Sequence, residues 1–72
     1  MTSTPSHIRL GRKLLAARTA TGRTQRETAI LAGISVVYLN RVEHGWHEPS
    51  RAVMRRLAKV LRVPVTTLEA ML

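Results

Sequence analysis

The chain has 72 residues, which is enough for one small domain with a single core and leaves little room for a second. The absence of cysteine excludes a disulfide scaffold and favours a reducing, intracellular setting, and no run of about 20 apolar residues is available to span a membrane. Twelve Lys and Arg against four Asp and Glu give a net charge of +8, which favours a polyanionic partner (DNA, RNA or an acidic membrane surface) over a cationic surface that is merely solvated.

The first predicted element is a disordered arm over residues 1–6, because its Ser, Thr and Pro offer nothing that could pack. The folded domain is expected over residues 7–72. A first helix from His7 to about Ala20 is predicted because apolar residues recur on one helical face, at Leu10, Leu14 and Ala17. Gly22 ends this helix, since glycine suits the left-handed position after a helix.

The second and third predicted helices are bounded by polar caps and glycine. Thr24 and Glu27 have the spacing of a capping box, in which each side chain bonds the backbone N–H of the other residue. Gly33 ends the second helix, because only glycine takes a positive φ without a Cβ clash. Ser35 then caps a third helix, predicted from Val36 to about His44.

The C-terminal third of the chain predicts two more helices. Ser50 caps a fourth helix from Arg51 to about Arg62, with an apolar stripe at Val53, Met54, Leu57, Ala58 and Leu61. Pro64 interrupts the helical pattern, and a short last helix is predicted from Val65 to Met71. No stretch shows the alternation of a strand. The sequence therefore predicts an all-α fold of five short helices around one core.

The segment Gln25–Glu43 has the spacing of a helix-turn-helix. Ala29 is small where one helix must let another approach, and Gly33 permits the sharp turn between them. Leu39 lies six residues further on, where it would reach back into the core. Two helices joined by a short turn that contains glycine describe this motif.

Over Leu10–Leu68 the chain resembles the lambda-repressor/Cro-like (Xre-type) helix-turn-helix domains. The matching pieces are Leu10-Gly11, Arg18, Thr24-Gln25, Ala29, Gly33, Val42-Glu43-x-Gly45, Pro49-Ser50 and Leu57-Ala58-x-x-Leu61-x-Val63. The resemblance implies a five-helix lambda-repressor-like fold, with helices 2 and 3 as the helix-turn-helix, that binds DNA, commonly as a dimer. Thr28 and Ala17 depart from the usual Leu and predict a looser core there, and Trp46 stands at a loop position that is often basic.

The resemblance makes the third helix the recognition helix in the major groove. The predicted base contacts are its outward residues, Val36, Val37, Tyr38, Asn40 and Arg41. Arg41 suits guanine N7 and O6, and the valines suit thymine methyl groups. Each prediction has a plainer alternative. Arg41 could contact phosphate or only solvent, one valine could pack inside, Tyr38 could be a partly buried core residue, and Asn40 could bond the backbone instead of adenine.

The predicted backbone contacts are polar or cationic residues, most of them near helix starts: Thr24, Gln25, Arg23, Arg26, Ser35, Arg18 and Arg51. Gln25 would bond a phosphate through its side chain, helped by the helix N-terminus, unless it is simply an exposed first-turn residue. In this family an ion pair at Arg18 and Glu43 bridges helix 1 to the end of helix 3. A bidentate pair of this kind would position Arg18 to reach a phosphate.

Catalytic and metal-binding chemistry find no support in the sequence. His44 and His47 are three residues apart, but no cysteine or suitably placed acid joins them. Glycine-rich phosphate loops and Ser/His/Asp sets are missing too. We therefore expect no enzyme activity, no cofactor and no metal.

The sequence thus predicts a repressor-like transcriptional regulator that binds double-stranded DNA as a homodimer and acts by occupying its operator. A cytoplasmic protein of bacterial or phage origin, with no membrane partner, is expected. Val65, Leu68, Met71 and Leu72 could form the dimer contact or simply close the core. The alternatives are an antitoxin that binds a toxin protein, an accessory or excision factor that bends DNA during recombination, and a cationic bundle that binds membrane surfaces or RNA.

Overall fold

A computed structural model describes residues 5–72, and this part of the chain is helical apart from its turns and loops. The helices are α1 (Pro5–Thr21), α2 (Gln25–Ala32), α3 (Val36–Glu43), α4 (Arg51–Leu61) and α5 (Val65–Glu69). The prediction of an all-α fold with five helices is confirmed, and the described residues contain no strand. None of these helices has the length and apolarity needed to cross a bilayer.

The two ends of the chain differ from the prediction. α1 begins at Pro5 instead of His7, so residues 5 and 6 of the predicted arm are helical. Proline suits the first helical position because its φ is fixed and because the N–H it lacks would have no partner in the first turn. Residues 1–4 of the predicted arm lie outside the described residues. At the other end, α5 stops at Glu69, before the predicted Met71.

The caps around the helix-turn-helix have the predicted geometry. The Thr24 hydroxyl accepts from the Glu27 N–H at 3.1 Å, and the Glu27 carboxylate accepts from the Thr24 N–H at 3.0 Å. The Thr24 backbone N–H, and after it the Thr24 hydroxyl, lower the pKa of Glu27 from its ordinary value. Gly33 is left-handed with φ of 68°, and the Ser35 hydroxyl accepts from the Tyr38 N–H. The turn that sets α2 against α3 is therefore specified by local chemistry.

The core is aliphatic and draws on every helix. Its buried apolar residues are Leu10, Leu14, Ala29, Ala32, Leu39, Val42, Val53, Met54, Leu57, Ala58, Leu61 and Leu68. α3 packs on α1 and α2, while α4 packs on α1, α2 and α5. α3 is thus held through the face that carries Leu39 and Val42, and its opposite face remains at the surface.

Helices α1 and α3 approach closely at Gly11. A Cβ atom at this position would lie 2.5 Å from the carbonyl oxygens of both Val42 and Glu43. Only glycine fits such a backbone-to-backbone contact, so Gly11 sets the spacing between the two helices. The contact brings the last turn of α3, including Glu43, against α1.

Thr28 is the buried position where the resemblance predicts a looser core. Its side chain is fully buried, and its hydroxyl has no hydrogen-bond partner among the described residues. A buried polar group without a partner costs about 1–3 kcal/mol. The departure from the usual Leu therefore has an energetic cost at the centre of α2.

Candidate nucleic-acid interface

The exposed face of α3 carries two valines and an arginine, which we call the recognition face: Val36, Val37 and Arg41. Val36 is 41% exposed and Val37 59% exposed, although β-branched apolar residues are poor choices for a solvent-facing helix position. The Arg41 side chain is exposed and makes no hydrogen bond or ion pair within residues 5–72. The recognition face is therefore free to contact a partner with both apolar and acceptor groups.

A polar network lies behind the recognition face, and Glu43 is its centre; we call it the Glu43 network. Arg18 donates from Nε to Glu43 Oε2 at 2.7 Å and from Nη2 to Oε1 at 3.2 Å, which is the bidentate arrangement of the predicted pair. Gln25 Nε2 donates to Glu43 Oε1 at 2.7 Å. Asn40 Nδ2 lies 3.5 Å from Gln25 Oε1 and completes the network.

The Glu43 network joins α1, α2 and α3. The side chains of Arg18 and Glu43 are only 14% and 3% exposed, so their charges are largely removed from water. Arg18 Nη1 also donates to the carbonyl oxygen of Arg23, which ties the α1–α2 turn to the same group. Because interactions between buried charges are screened little, the network fixes the orientation of α3 relative to the two helices behind it.

The network changes how Gln25 and Asn40 can act. The side chain of Gln25 was predicted to bond a phosphate. In the structure its Nε2 atom donates to Glu43, and its Oε1 atom accepts from Asn40. The backbone N–H of Gln25 remains at the N-terminus of α2, where it can still meet a phosphate. Asn40 is partly buried, and its amide Nδ2 donates to Gln25 Oε1.

Tyr38 takes the partly buried position that was one of its two alternatives. Its hydroxyl accepts from the Ser50 N–H at 3.4 Å, and its ring meets His47 edge-on with centroids 4.9 Å apart. The Tyr38 hydroxyl therefore sits at the start of α4, where it links α3 to the loop that follows.

The predicted backbone contacts divide into exposed residues and three whose side chains bond inside the protein, which are Arg18 and Gln25 of the Glu43 network and Arg23. Thr24, Arg26, Ser35 and Arg51 are exposed at the N-termini of α2, α3 and α4. Arg23, by contrast, is partly buried and donates from Nη1 to the carbonyl oxygen of Val60 near the end of α4.

Two further features were not predicted from the sequence. Trp46 is 45% exposed and stacks on His44 with ring centroids 4.8 Å apart, while its backbone N–H donates to the Arg41 carbonyl oxygen. A cleft of about 430 Å³ between α2 and α4 is lined by Arg23, Leu31, Arg56, Lys59, Val60 and Arg62. Arg56, Lys59 and Arg62 are three residues apart in the sequence, but this spacing alone predicts only a solvated face. No cluster of potential metal ligands occurs within residues 5–72.

Comparison with known proteins identifies helix-turn-helix relatives. A family model described as "Helix-turn-helix domain" matches residues 9–71. The transcriptional regulator ClgR of Mycobacterium tuberculosis, in strains CDC 1551 / Oshkosh and ATCC 25618 / H37Rv, is 35% identical over 57 residues, or 79% of this chain. That alignment covers 51% of the relative, so the chain spans about half the length of the curated proteins it matches.

A solved structure shares the fold along most of the chain. The restriction-modification controller protein C.AhdI from Aeromonas hydrophila superposes with a TM-score of 0.81 and 31% sequence identity. The match covers 86% of this chain and 90% of C.AhdI, so both proteins have the same arrangement of helices over nearly their whole described length.

Proposed function

The chain belongs to the helix-turn-helix domain family, of the lambda-repressor/Cro-like type, and on that premise we propose that it binds specific sites on double-stranded DNA and regulates transcription. The observation that carries the proposal is the recognition face of α3, which combines exposed Val36 and Val37 with an unengaged arginine, Arg41. The relatives named as a transcriptional regulator and a controller protein support a regulatory role.

Base reading is assigned to the recognition face. An arginine guanidinium can donate two parallel hydrogen bonds to guanine N7 and O6, and valine methyl groups can pack on the thymine methyl. Arg41 and the two valines offer both kinds of contact from one side of α3. Tyr38 and Asn40 support this face, because the Tyr38 hydroxyl bonds the start of α4 and the Asn40 amide bonds Gln25.

Phosphate contacts are assigned to the starts of three helices. The free backbone N–H groups of Gln25 and Arg26 begin α2, and helix N-termini attract phosphate. Arg26, Arg51 and the hydroxyls of Thr24 and Ser35 lie at or next to these helix starts. Contacts of this kind fix the register of the protein on the duplex without reading its sequence.

We further propose that the protein acts as a homodimer and represses by occupying its operator. A single module of this type buries only about 600–1,000 Å² against DNA, so tight binding favours two copies on one site. In α5 and the residues after it, Leu68 is buried and Val65 and Met71 pack against the core, while Leu72 is 48% exposed. The segment was predicted either to close the core or to form the dimer contact. Leu68 closes the core, and we assign Leu72 to the contact with a second copy.

Selection of bound duplexes from random DNA tests the proposed function. We expect a recurrent motif with two-fold symmetry and half-sites about one helical turn apart, because a symmetric dimer presents two copies of α3. The Arg55→Gln variant changes an exposed arginine outside the proposed interface and should select the same motif. Failure to enrich any motif at roughly physiological salt would contradict sequence-specific binding.

A further inference from the structure

A second cationic surface lies away from the recognition face, in the groove between α2 and α4. We call it the α4 cleft; it measures about 430 Å³ and is lined by Arg23, Leu31, Arg56, Lys59, Val60 and Arg62. Four of these six residues are cationic and none is acidic. Side chains of like charge repel one another, so a concentration of cations without an acid favours an anionic partner.

Two of the arginines in the α4 cleft are held in place by helix ends. Arg23 Nη1 donates to the Val60 carbonyl oxygen, and Arg56 Nη1 donates to the Ala32 carbonyl oxygen at 3.3 Å. Each bond uses one of the five N–H donors of a guanidinium and leaves others available. These two charges are therefore positioned before any partner arrives.

The other two cations line the cleft from α4 and its end. Lys59 and Arg62 are exposed, and their side chains make no hydrogen bond or ion pair in the described part of the chain. Arg62 ends α4 in a left-handed conformation with φ of 57°. This conformation is unfavourable for a residue with a Cβ atom, and glycine would adopt it at a lower energetic cost. The presence of arginine here therefore indicates a role for its side chain.

The α4 cleft is continuous with the proposed DNA interface. Arg23 lines the cleft and directly precedes Thr24, the N-cap of α2, where we place a phosphate contact. A neighbouring hollow is lined by Ala20, Thr21, Arg23 and Arg62, which extends the cationic surface around the α1–α2 turn. The charges thus run from the start of α2 along the side of α4 without an intervening acid among the lining residues.

We propose that the α4 cleft binds the phosphate backbone of the DNA that flanks the site read by α3. The inference rests on the proposed function, because a duplex held at the start of α2 keeps its next phosphates close to Arg23 at a high local concentration. Reaching Lys59 and Arg62 requires the flank to curve toward α4, and the electrostatic gain of these contacts offsets the cost of bending. Leu31 and Val60 provide apolar contact for deoxyribose between the cations.

Two duplexes and one double variant test the inference. The short duplex contains only the selected site, and the long duplex extends it by about one helical turn, ~10 base pairs, on each side. In Lys59→Gln/Arg62→Asn, glutamine keeps the helix and asparagine tolerates the left-handed conformation, so the fold is preserved. Dissociation constants are measured for both duplexes over a series of salt concentrations.

The wild-type protein should bind the long duplex roughly tenfold more tightly than the short one, and its salt slope should be steeper by about 2, since each neutralised phosphate adds about 0.9. The double variant should lose this gain and bind the short duplex almost as the wild type does. Arg9→Gln/Arg12→Gln removes the same charge from α1, outside the cleft, and should keep the gain.

Three results would overturn the inference. The wild-type protein could bind the long and short duplexes equally, the double variant could still prefer the long duplex, or the control variant could lose that preference to the same extent. These results are distinct from a failure of the proposed function. Absence of specific binding to the short duplex would contradict the proposed function and the inference together. Specific binding with equal affinity for the short and long duplexes would contradict the inference alone.

Discussion

Replacement of Gly11 by alanine should lower the free energy of unfolding by about 3 kcal/mol, although alanine is the better helix former by about 1 kcal/mol. The new Cβ atom would lie 2.5 Å from two carbonyl oxygens of α3, on Val42 and Glu43, and neither backbone atom can swing aside as a flexible side chain can. Separation of α1 from α3 would also displace Glu43 from Arg18. Thermal unfolding should show a fall in Tm of roughly 10–20 °C for a domain of this size.

Gly22 provides the matched control for this prediction. It has φ of 75°, but a Cβ atom there would meet nothing within 4 Å. Gly22→Ala should therefore cost only about 1 kcal/mol, through the left-handed backbone alone. Equal stability losses in the two variants, or a Gly11→Ala protein as stable as the wild type, would contradict the close approach of α1 and α3.

Glu43→Gln should lower the free energy of unfolding by about 3 kcal/mol, because removal of one partner leaves the other buried charge without compensation. One carboxylate oxygen would become an amide donor that faces the donors of Arg18 or Gln25. Since the Glu43 network orients α3, affinity for the selected DNA should also fall at temperatures where the variant remains folded. Urea unfolding and DNA titration of the same preparation measure both effects.

The pair of His7 and the exposed Glu48 is the control for Glu43→Gln. Their side chains approach to 3.8 Å, and that of Glu48 is 52% exposed, so Glu48→Gln should change stability by less than about 0.5 kcal/mol. The double variant Arg18→Gln/Glu43→Gln should cost less than the sum of the two single changes, because each single change already breaks the pair. Additive losses in that cycle would mean that the two groups do not interact.

The parts of the fold that the sequence predicted are those that depend on neighbouring residues. Thr24 and Glu27 are three residues apart, so the capping box and the start of α2 follow from local chemistry. Gly33 likewise determines the turn through its own φ. The lambda-repressor-like family was recognised from several such signals together, and the family and structure matches confirm it.

The parts that could not be predicted depend on distant residues. Gln25 was expected to face a phosphate, but Glu43, 18 positions away, occupies its amide. Arg23 was expected at the DNA backbone, yet it bonds a carbonyl oxygen on α4, 37 positions away. In both cases the intramolecular partner is set by the packing of helices, which no local pattern describes.

The positions of some surface side chains could not be predicted from the sequence pattern either. The arginines and the lysine of α4 have the spacing of an ordinary solvated face, and nothing in that spacing indicates that Arg23 joins three of them in one cleft. Tyr38 could equally have faced DNA or the core, because aromatic residues with a polar tip suit both places. Its contact with Ser50 at the start of α4 depends on how α3 and α4 pack, which the sequence around Tyr38 does not specify.

The most direct test of the central claim, that α3 reads bases, is the affinity of Arg41→Ala for the selected duplex and for a shuffled one. We predict a loss of about 1–3 kcal/mol, roughly 5–150-fold, on the selected duplex and little change on the shuffled duplex. Arg26→Ala, which changes a residue we propose to contact phosphate, should weaken binding to both duplexes equally. Equal losses on the two duplexes for Arg41→Ala, or no loss on either, would show that α3 does not carry the specificity.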